Sequence, residues 1–326
     1  MNKFNKVTIV MYHYVRDLKH SRYQRIKGLD LSLFIEQIEY LKKHYSFITM
    51  EELIDALDND SDLSPKSVLL TFDDAYIDHY LYVFPYLDKN KIQGSFFPPV
   101  KAITEHLVLD VNKIHFILAS VENNLAIIKD IYAQLDIYRY DYNLKENDYY
   151  YKKLAIANRF DPKEVVFIKR LLQVELEEKL RNIITTFLFH KYVSTDESSF
   201  SRELYMNAEQ IACMKRSGMH IGNHGFDHYW LSSLSKEKQE DEINKSLEFI
   251  KTIGGDTTSW TMCYPYGEYN NDTISIIRQN GCKLGLTTRV GIANLIKDNH
   301  YKLPRLDTND IPKNSNEDLN VWYYKA

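Results

Sequence analysis

One short stretch constrains this chain more than any other. Ser67-Val68-Leu69-Leu70-Thr71-Phe72 is an apolar run of strand length, and it ends on two adjacent carboxylates, Asp73 and Asp74. A run without polar alternation reads as a strand buried on both faces, which points to a parallel sheet and delivers two negative charges to its C-terminal edge. Neighbouring ionised carboxylates repel and burial adds a desolvation penalty, so a metal, an arginine or a shared proton has to neutralise them. Taken alone, the pair reads better as the N-cap of a helix starting near Ala75.

The surrounding texture supports an α/β chain. Val7 to Tyr12 is a compact apolar run that stops at His13, and residues 31–44 place Leu33, Phe34, Ile38 and Leu41 on one helical face. Thr49 opens a second helix through a capping-box pattern completed by Glu52. Tyr76 to Lys89 reads as a helix and Gly94-Ser95-Phe96-Phe97 as the next strand, stopped by Pro98-Pro99. Strand, helix, strand in that order is a βαβ unit.

From Thr104 to Phe200 strand-like runs disappear. Helical patterns run over Val111–Ser120, Leu125–Leu135 and Pro162–His190, the last with Asp161 as cap, and a Tyr-rich interval near 138–151 separates two of them. The domain reading is therefore a catalytic α/β unit from residues 1–103 and 201–326, with a helical subdomain inserted at 104–200. The alternation returns with a helix over Asn207–Ser217, a strand Met219–His224, a helix Lys236–Ile253 and a strand Thr258–Tyr264. A helix over Asp272–Gln279, an extended Lys283–Thr287 and a short strand around Val321-Trp322 complete the reading.

Composition narrows the function classes. A net charge of -4 over 326 residues carries no basic excess, so no nucleic-acid partner is expected. The cysteines Cys213, Cys263 and Cys282 form no CxxC pair, which argues against a disulfide scaffold or a cysteine zinc site and suits a reducing compartment. No window approaches a membrane helix and the N-terminus lacks a signal-peptide apolar region, so a cytoplasmic location is the expectation.

Three clusters fall at C-terminal strand ends, the edge where α/β proteins build active sites. Asp73-Asp74 is the first. The second is Asn223-His224-Gly225-Phe226-Asp227-His228, whose two imidazoles can converge on one ion; with a carboxylate they make a His₂Asp set that leaves a position open for water. The third is Cys263-Tyr264-Pro265-Tyr266-Gly267, where Pro and Gly hold a non-helical path that can aim a main-chain N–H at a ligand. In isolation, two exposed loop histidines and a plain turn explain the last two clusters better.

Together they resemble the polysaccharide deacetylases that share the NodB homology domain, carbohydrate esterase family 4. Thr71-Phe72-Asp73-Asp74 matches the first motif of that family, His224 and His228 the second, and Tyr264-Pro265-Tyr266-Gly267 most of the third. Met11-Tyr12-His13, Gly94–Phe97, Thr287-Thr288-Arg289 and Leu303-Pro304-Arg305 also resemble members acting on surface and exopolysaccharide amino sugars. The resemblance implies a distorted (β/α) barrel and metal-dependent hydrolysis of N-acetyl groups. In that reading Asp73 is the general base, Asp74, His224 and His228 hold a divalent metal, and the Tyr266 N–H supports the oxyanion. Zinc is the first expectation for the ion, with cobalt, nickel and manganese also suited to the ligand set.

The chain departs from the family in four places. Gly225 replaces the Ser or Thr that follows the first histidine ligand, and Cys263-Tyr264 stand where many members carry an Arg that orients the base. No Asp-x-x-Ser-Trp or Leu-x-His motif follows the third cluster. Arg305 is the candidate to replace the missing Arg, and His13 the candidate general acid. The expected substrate is an acetamido sugar of a bacterial surface glycan or of its nucleotide- or lipid-linked precursor. The alternatives are a deformylase or other amidohydrolase on the same metal site, or a catalytically silent glycan-binding relative. The helical insertion is expected to set specificity or to mediate oligomerisation.

Overall fold

The computed structural model describes residues 4–158 and 161–326. Eleven strands occur among them: β1 Lys6–Tyr12, β2 Val15–Arg16, β3 Leu29–Asp30, β4 Ser46–Phe47, β5 Ser67–Asp73, β6 Gly94–Phe97, β7 His220–Ile221, β8 Trp260–Cys263, β9 Cys282–Leu286, β10 Ala293–Asn294 and β11 Leu306–Asp307. The chain divides into two compact units, one of Met1–Asp17, Gly28–His106 and Arg202–Ala326, the other of Leu18–Lys27 and Leu107–Ser201.

The first unit is α/β around a mainly parallel sheet. Strand β5 lies at its centre, parallel to β1 over Val7↔Ser67 to Tyr12↔Phe72 and to β6 over Leu70↔Gly94 to Asp73↔Phe97. Strand β6 pairs with β7 in parallel, and β11 pairs in parallel with the far edge of β1. The pairing continues beyond β7 through a single bridge, Asn223↔Met262, into β8 and its parallel partner β9. A second bridge, Leu286↔Leu303, leads back to the segment that enters β11. The pairings thus run in a circuit that returns to β1, with single bridges replacing ladders at two places.

Every residue of β5 is buried, as the unalternating sequence requires. Val68, Leu70 and Phe72 face the helix-covered side with Tyr12, Phe34 and Phe96, where the rings of Tyr12 and Phe96 stack on Phe72 at 5.0 and 4.8 Å. Leu69 points the other way, into a cluster with Val7, Ile9, Phe97, Cys263, Leu284, Leu286 and Leu303. Strand alternation carries Thr71 and Asp73 to that same side. Each buried ring of this kind is worth about 1.5–3 kcal/mol of transfer free energy, which fixes the strand that carries the two aspartates.

The second unit is helical. Its helices Asp110–Ser120, Asn124–Tyr138, Asn147–Leu154, Lys163–Arg170, Glu178–Tyr192 and Glu197–Leu204 bury Ile114, Ile117, Ile131, Leu135, Phe167, Leu180, Ile184 and Leu188. Only the last of these helices runs past the unit's boundary at Ser201. Phe116, Phe189 and Phe200 meet edge to face, and Tyr23 of the Leu18–Lys27 segment packs on Phe116 and Phe200.

Several local expectations need correction. The segment around Val321-Trp322 is a helix, Val321–Lys325, because the Asn320 carboxamide accepts the N–H groups of Trp322 and Tyr323 and caps it. Asp161 caps nothing: its carboxylate takes the ammonium groups of Lys27 and Lys169, and Pro162 stands at the N-cap. The long helix expected over Pro162–His190 is broken, with a wide turn at Leu171–Glu175 before Glu178–Tyr192. Tyr76–Lys89 likewise opens with a wide turn, His79–Val83, before the helix Phe84–Lys89. Part of the Tyr-rich interval forms the helix Asn147–Leu154, and the expected strand Met219–His224 shortens to His220–Ile221.

Candidate metal and catalytic site

Asp73 closes β5, Asp74 follows it, and the two point to different partners. No helix cap forms at this pair: Asp74 and Ala75 have φ of 73° and 55°, so the backbone makes a left-handed turn instead of entering a helix. Two consecutive non-glycine residues in that region cost about 1 kcal/mol or more each. The turn is held by the Asp74 N–H donating to Phe97 O at 3.1 Å and the Met206 N–H donating to Ala75 O at 2.9 Å.

Asp73 is locked by an arginine. The Arg305 guanidinium donates to both carboxylate oxygens, Nη1 to Oδ1 at 3.0 Å and Nη2 to Oδ2 at 2.8 Å. Its Nη1 also reaches Thr71 Oγ1 at 3.1 Å and its Nε reaches Thr287 O at 2.9 Å. Both residues are 1% exposed, so a fully buried charge pair is hydrogen-bonded throughout, the condition under which such a pair is tolerated. Burial works against ionising Asp73, yet the positive charge of Arg305, with His224 and His13, outweighs it and brings the carboxyl down to about 2. Burial lowers the charged state of Arg305 in turn, and Asp73 more than restores it.

His13 follows β1 and faces the same carboxylate, with Nε2 3.8 Å from Asp73 Oδ2, beyond hydrogen-bonding distance. Its imidazole is 42% exposed, whereas its main-chain carbonyl is fixed by a 2.7 Å contact with His79 Nε2. Burial lowers His79 to about 4, so it is a neutral ring that donates from Nε2.

Asp74, His224 and His228 converge, all buried, with their donor atoms within 4.8 Å of one another. The two Nε2 atoms lie 3.4 and 3.2 Å from Asp74 Oδ1. His224 Nδ1 is 2.7 Å from Cys263 O, which places the proton on Nδ1 and turns the Nε2 lone pair toward Asp74. Asp74 Oδ1 is buried without a hydrogen-bond partner among the described residues. Such an orphan oxygen facing two imidazole nitrogens is the donor set a divalent ion requires, and these residues fit one. Burial opposes ionisation of Asp74, but the two imidazoles beside Oδ1 hold it well below the usual carboxylate range. Burial pushes His228 down, toward the neutral form a metal ligand needs. At His224 burial is outweighed by Cys263 and Asp74, and the ring is pushed up. A protonated His224 and a bound cation are alternative ways of neutralising the same carboxylate.

The histidines sit in a loop rather than on a helix. Gly225, at φ 74°, donates its N–H to Asn223 Oδ1 at 2.8 Å. Glu242 Oε2 accepts the N–H groups of Phe226 and Asp227 at 3.0 and 2.8 Å. A Cβ on Gly225 would stand 3.4 Å from that same oxygen. The hydrogen bond expected from a Ser or Thr at this position is thus replaced by a buried carboxylate behind the loop.

Tyr266 lies at φ 57° between Pro265 and Gly267, and its ring packs on His228 and Trp230, each with centroids 4.7 Å apart. Gly267 cannot carry a side chain, since its Cβ would lie 2.2 Å from Thr288 Oγ1. Cys263 is buried beside Asp73 and His224, and burial pushes its thiol up. The three cysteines are free thiols. Tyr76 and Glu242 were not singled out from sequence. Glu242 had a signal, because it falls on the buried stripe Gln239, Ile243, Ser246, Phe249 and Ile250 of its helix.

The sequence model described as polysaccharide deacetylase matches residues 152–285, a span that includes His224, His228 and Tyr264–Gly267. That stretch of the chain is similar to the polysaccharide deacetylase family. The match does not reach Asp73-Asp74, so the first aspartate motif rests on this chain's own residues. Bacillus subtilis YxkH is 28% identical over 96 residues, which are 29% of this chain and 34% of that protein, so the chain matches about a third of that relative's length. The Streptococcus pyogenes deacetylase PplD, solved in complex with acetate, is similar with a TM-score of 0.58 at 20% identity over 95% of this chain and 96% of that one. IcaB from Ammonifex degensii is similar with a TM-score of 0.55 at 20% identity, covering 93% and 92% of the two chains. These likenesses show that the chain shares their fold. Among the described residues no helix is long and apolar enough to cross a membrane.

Proposed function

We propose that this chain is a metal-dependent hydrolase that removes N-acetyl groups from an amino sugar of a bacterial surface polysaccharide or of its nucleotide- or lipid-linked precursor. The observation that carries the reading is the division of labour at one strand end. Asp74 meets two imidazoles, while Asp73, one residue earlier, faces a buried arginine instead.

Asp74, His224 and His228 would hold the ion, with zinc as the first choice. A divalent ion bound there would polarise the amide carbonyl and acidify a water molecule. Asp73 takes the proton as the water oxygen attacks the acyl carbon, and Arg305 keeps the carboxylate oriented and ionised. The Tyr266 main-chain N–H supports the developing oxyanion, and His13 donates a proton to the departing amine, leaving acetate and a free amino sugar. A base held at about 2 is weak, so the water it serves would have to be acidified by the bound ion.

The test is elemental analysis for bound metal, followed by acetate release from nucleotide-linked, lipid-linked and polymeric acetamido sugars. Wild-type protein is expected to carry about one divalent ion and release acetate, with Asp73→Asn retaining the ion and losing at least ~100-fold in rate. The tight pairing of Asp73 with Arg305 also supports a silent glycan-binding relative. Bound metal with no acetate or formate released across the panel would favour it.

A further inference from the structure

The two oxygens of Asp74 have different surroundings. Oδ1 faces the imidazoles of His224 and His228, whereas Oδ2 accepts a hydrogen bond from the Tyr76 hydroxyl at 2.7 Å. An ionised carboxylate only accepts, so the phenol is the donor. Tyr76 is fully buried, and its ring is clamped: Tyr14 stacks on it with centroids 3.9 Å apart, Tyr205 at 6.2 Å, and His79 meets it edge-on at 5.6 Å. A backbone bridge between Tyr76 and Tyr205 fixes the main chain as well. The left-handed turn at Asp74-Ala75 is what brings a hydroxyl two residues onward back to the carboxylate.

We infer that Tyr76 is a positioning residue that occupies Asp74 Oδ2 and so restricts Asp74 to one-oxygen ligation. This inference rests on the metal-site reading above. A carboxylate with both oxygens free can swing to grip an ion with two, which raises the coordination number and takes up the position a water would need. With Oδ2 held, Asp74 offers a single oxygen beside two nitrogens, a set suited to a four-coordinate ion with one open position. Outer hydrogen-bond partners of this kind orient ligands and are worth 10–100-fold in metal affinity.

The experiment is Tyr76→Phe, which keeps the ring within its stack and removes only the hydroxyl. Zinc affinity is measured by competition with a chromophoric chelator, and the visible spectrum of the cobalt-substituted protein reports coordination number. The expected result is a 10–100-fold loss of zinc affinity, with cobalt absorption weakened in the manner of a five- or six-coordinate ion. Zinc affinity within two-fold of wild type together with an unchanged cobalt spectrum overturns the inference, as does weakened affinity without a spectral change. Asp74→Asn separates the two claims: wild-type zinc binding that Asp74→Asn leaves intact would overturn the metal site itself. An unchanged thermal melt of metal-free Tyr76→Phe shows that the readout concerns ligation rather than folding.

Discussion

At the scale of single residues, the site depends on charge that burial alone would not permit. Asp73 is ionised because Arg305 grips both of its oxygens, and removing the guanidinium leaves a carboxylate whose burial disfavours its charge. Arg305→Ala is expected to destabilise the protein by about 3–5 kcal/mol, since one member of a buried pair is left uncompensated. The sign follows from the depressed value. Asp73 contributes stability above its unfolded value of ~3.9, and that contribution is lost as pH falls toward about 2. In Arg305→Ala burial raises the carboxyl instead, so the sign reverses and stability falls as pH rises above ~3.9, while the acid limb of kcat/KM moves to higher pH. Denaturant melts and rate profiles across the acid range measure both, and a variant with wild-type stability and acid limb would remove Arg305 from its assignment. The pairing was legible in sequence only as a candidate, because nothing local connects residue 305 to residue 73. Tyr76 lies two residues from its partner and was still missed, since the left-handed turn that folds it back cannot be seen in an Ala at position 75.

At the scale of elements, the helix Lys236–Thr252 reaches the site through one side chain. Glu242 is 6% exposed and accepts the N–H groups of Phe226 and Asp227, holding the loop between the two histidines. Burial raises its carboxyl to about 7, against the opposing bonds from that loop. A folded-state value above the unfolded one of ~4.3 means that the native protein retains a proton the unfolded chain has lost. Stability is therefore expected to fall as pH rises from about 4.5 to about 7. Glu242→Gln keeps an acceptor for the two N–H groups and removes the ionisation, so its melting temperature should be flatter across that window. Glu242→Leu, which offers no acceptor, should lose metal affinity. Melting temperature against pH for the three proteins, with chelator competition, is the measurement, and parallel wild-type and Glu242→Gln curves would refute the account. The helix itself was legible from its spacing, and β1, β5 and β6 from their apolar runs. Among the two-residue strands, which carry no periodicity, β10 and β11 form along β1, whereas β2 and β3 pair with each other.

At the scale of the whole molecule, two compact units divide the chain, and the helical one draws on two separate stretches of sequence. Sequence texture marks the onset of helices near residue 104 but gives no sign of the Leu18–Lys27 segment, which is polar and lacks periodicity. What ties that segment into its unit is chemistry at a distance. Lys27 Nζ meets Asp161 Oδ1 at 2.5 Å, Lys169 Nζ meets Asp161 Oδ2 at 2.8 Å, and Arg25 Nε donates to Ala119 O at 3.1 Å. Asp161 is 8% exposed, whereas the Lys27 side chain is 64% exposed, so solvent screens half of the cluster. Burial raises Asp161, and hydrogen bonds from Lys169 and Lys27 more than reverse it, leaving the carboxyl below its ordinary value. Asp161→Asn keeps the shape and removes the charge, and a cost of roughly 1 kcal/mol is expected. Because the cluster and Tyr23 both act inside the helical unit, the effect should stay there. Hydrogen exchange is expected to quicken in Leu18–Lys27 and Lys163–Arg170, while amides of β5 and of the Asn223–His228 loop keep wild-type protection. Equal loss of protection in both units would mean that they unfold as one cooperative body, whereas loss confined to the helical unit would make it a foldon of its own.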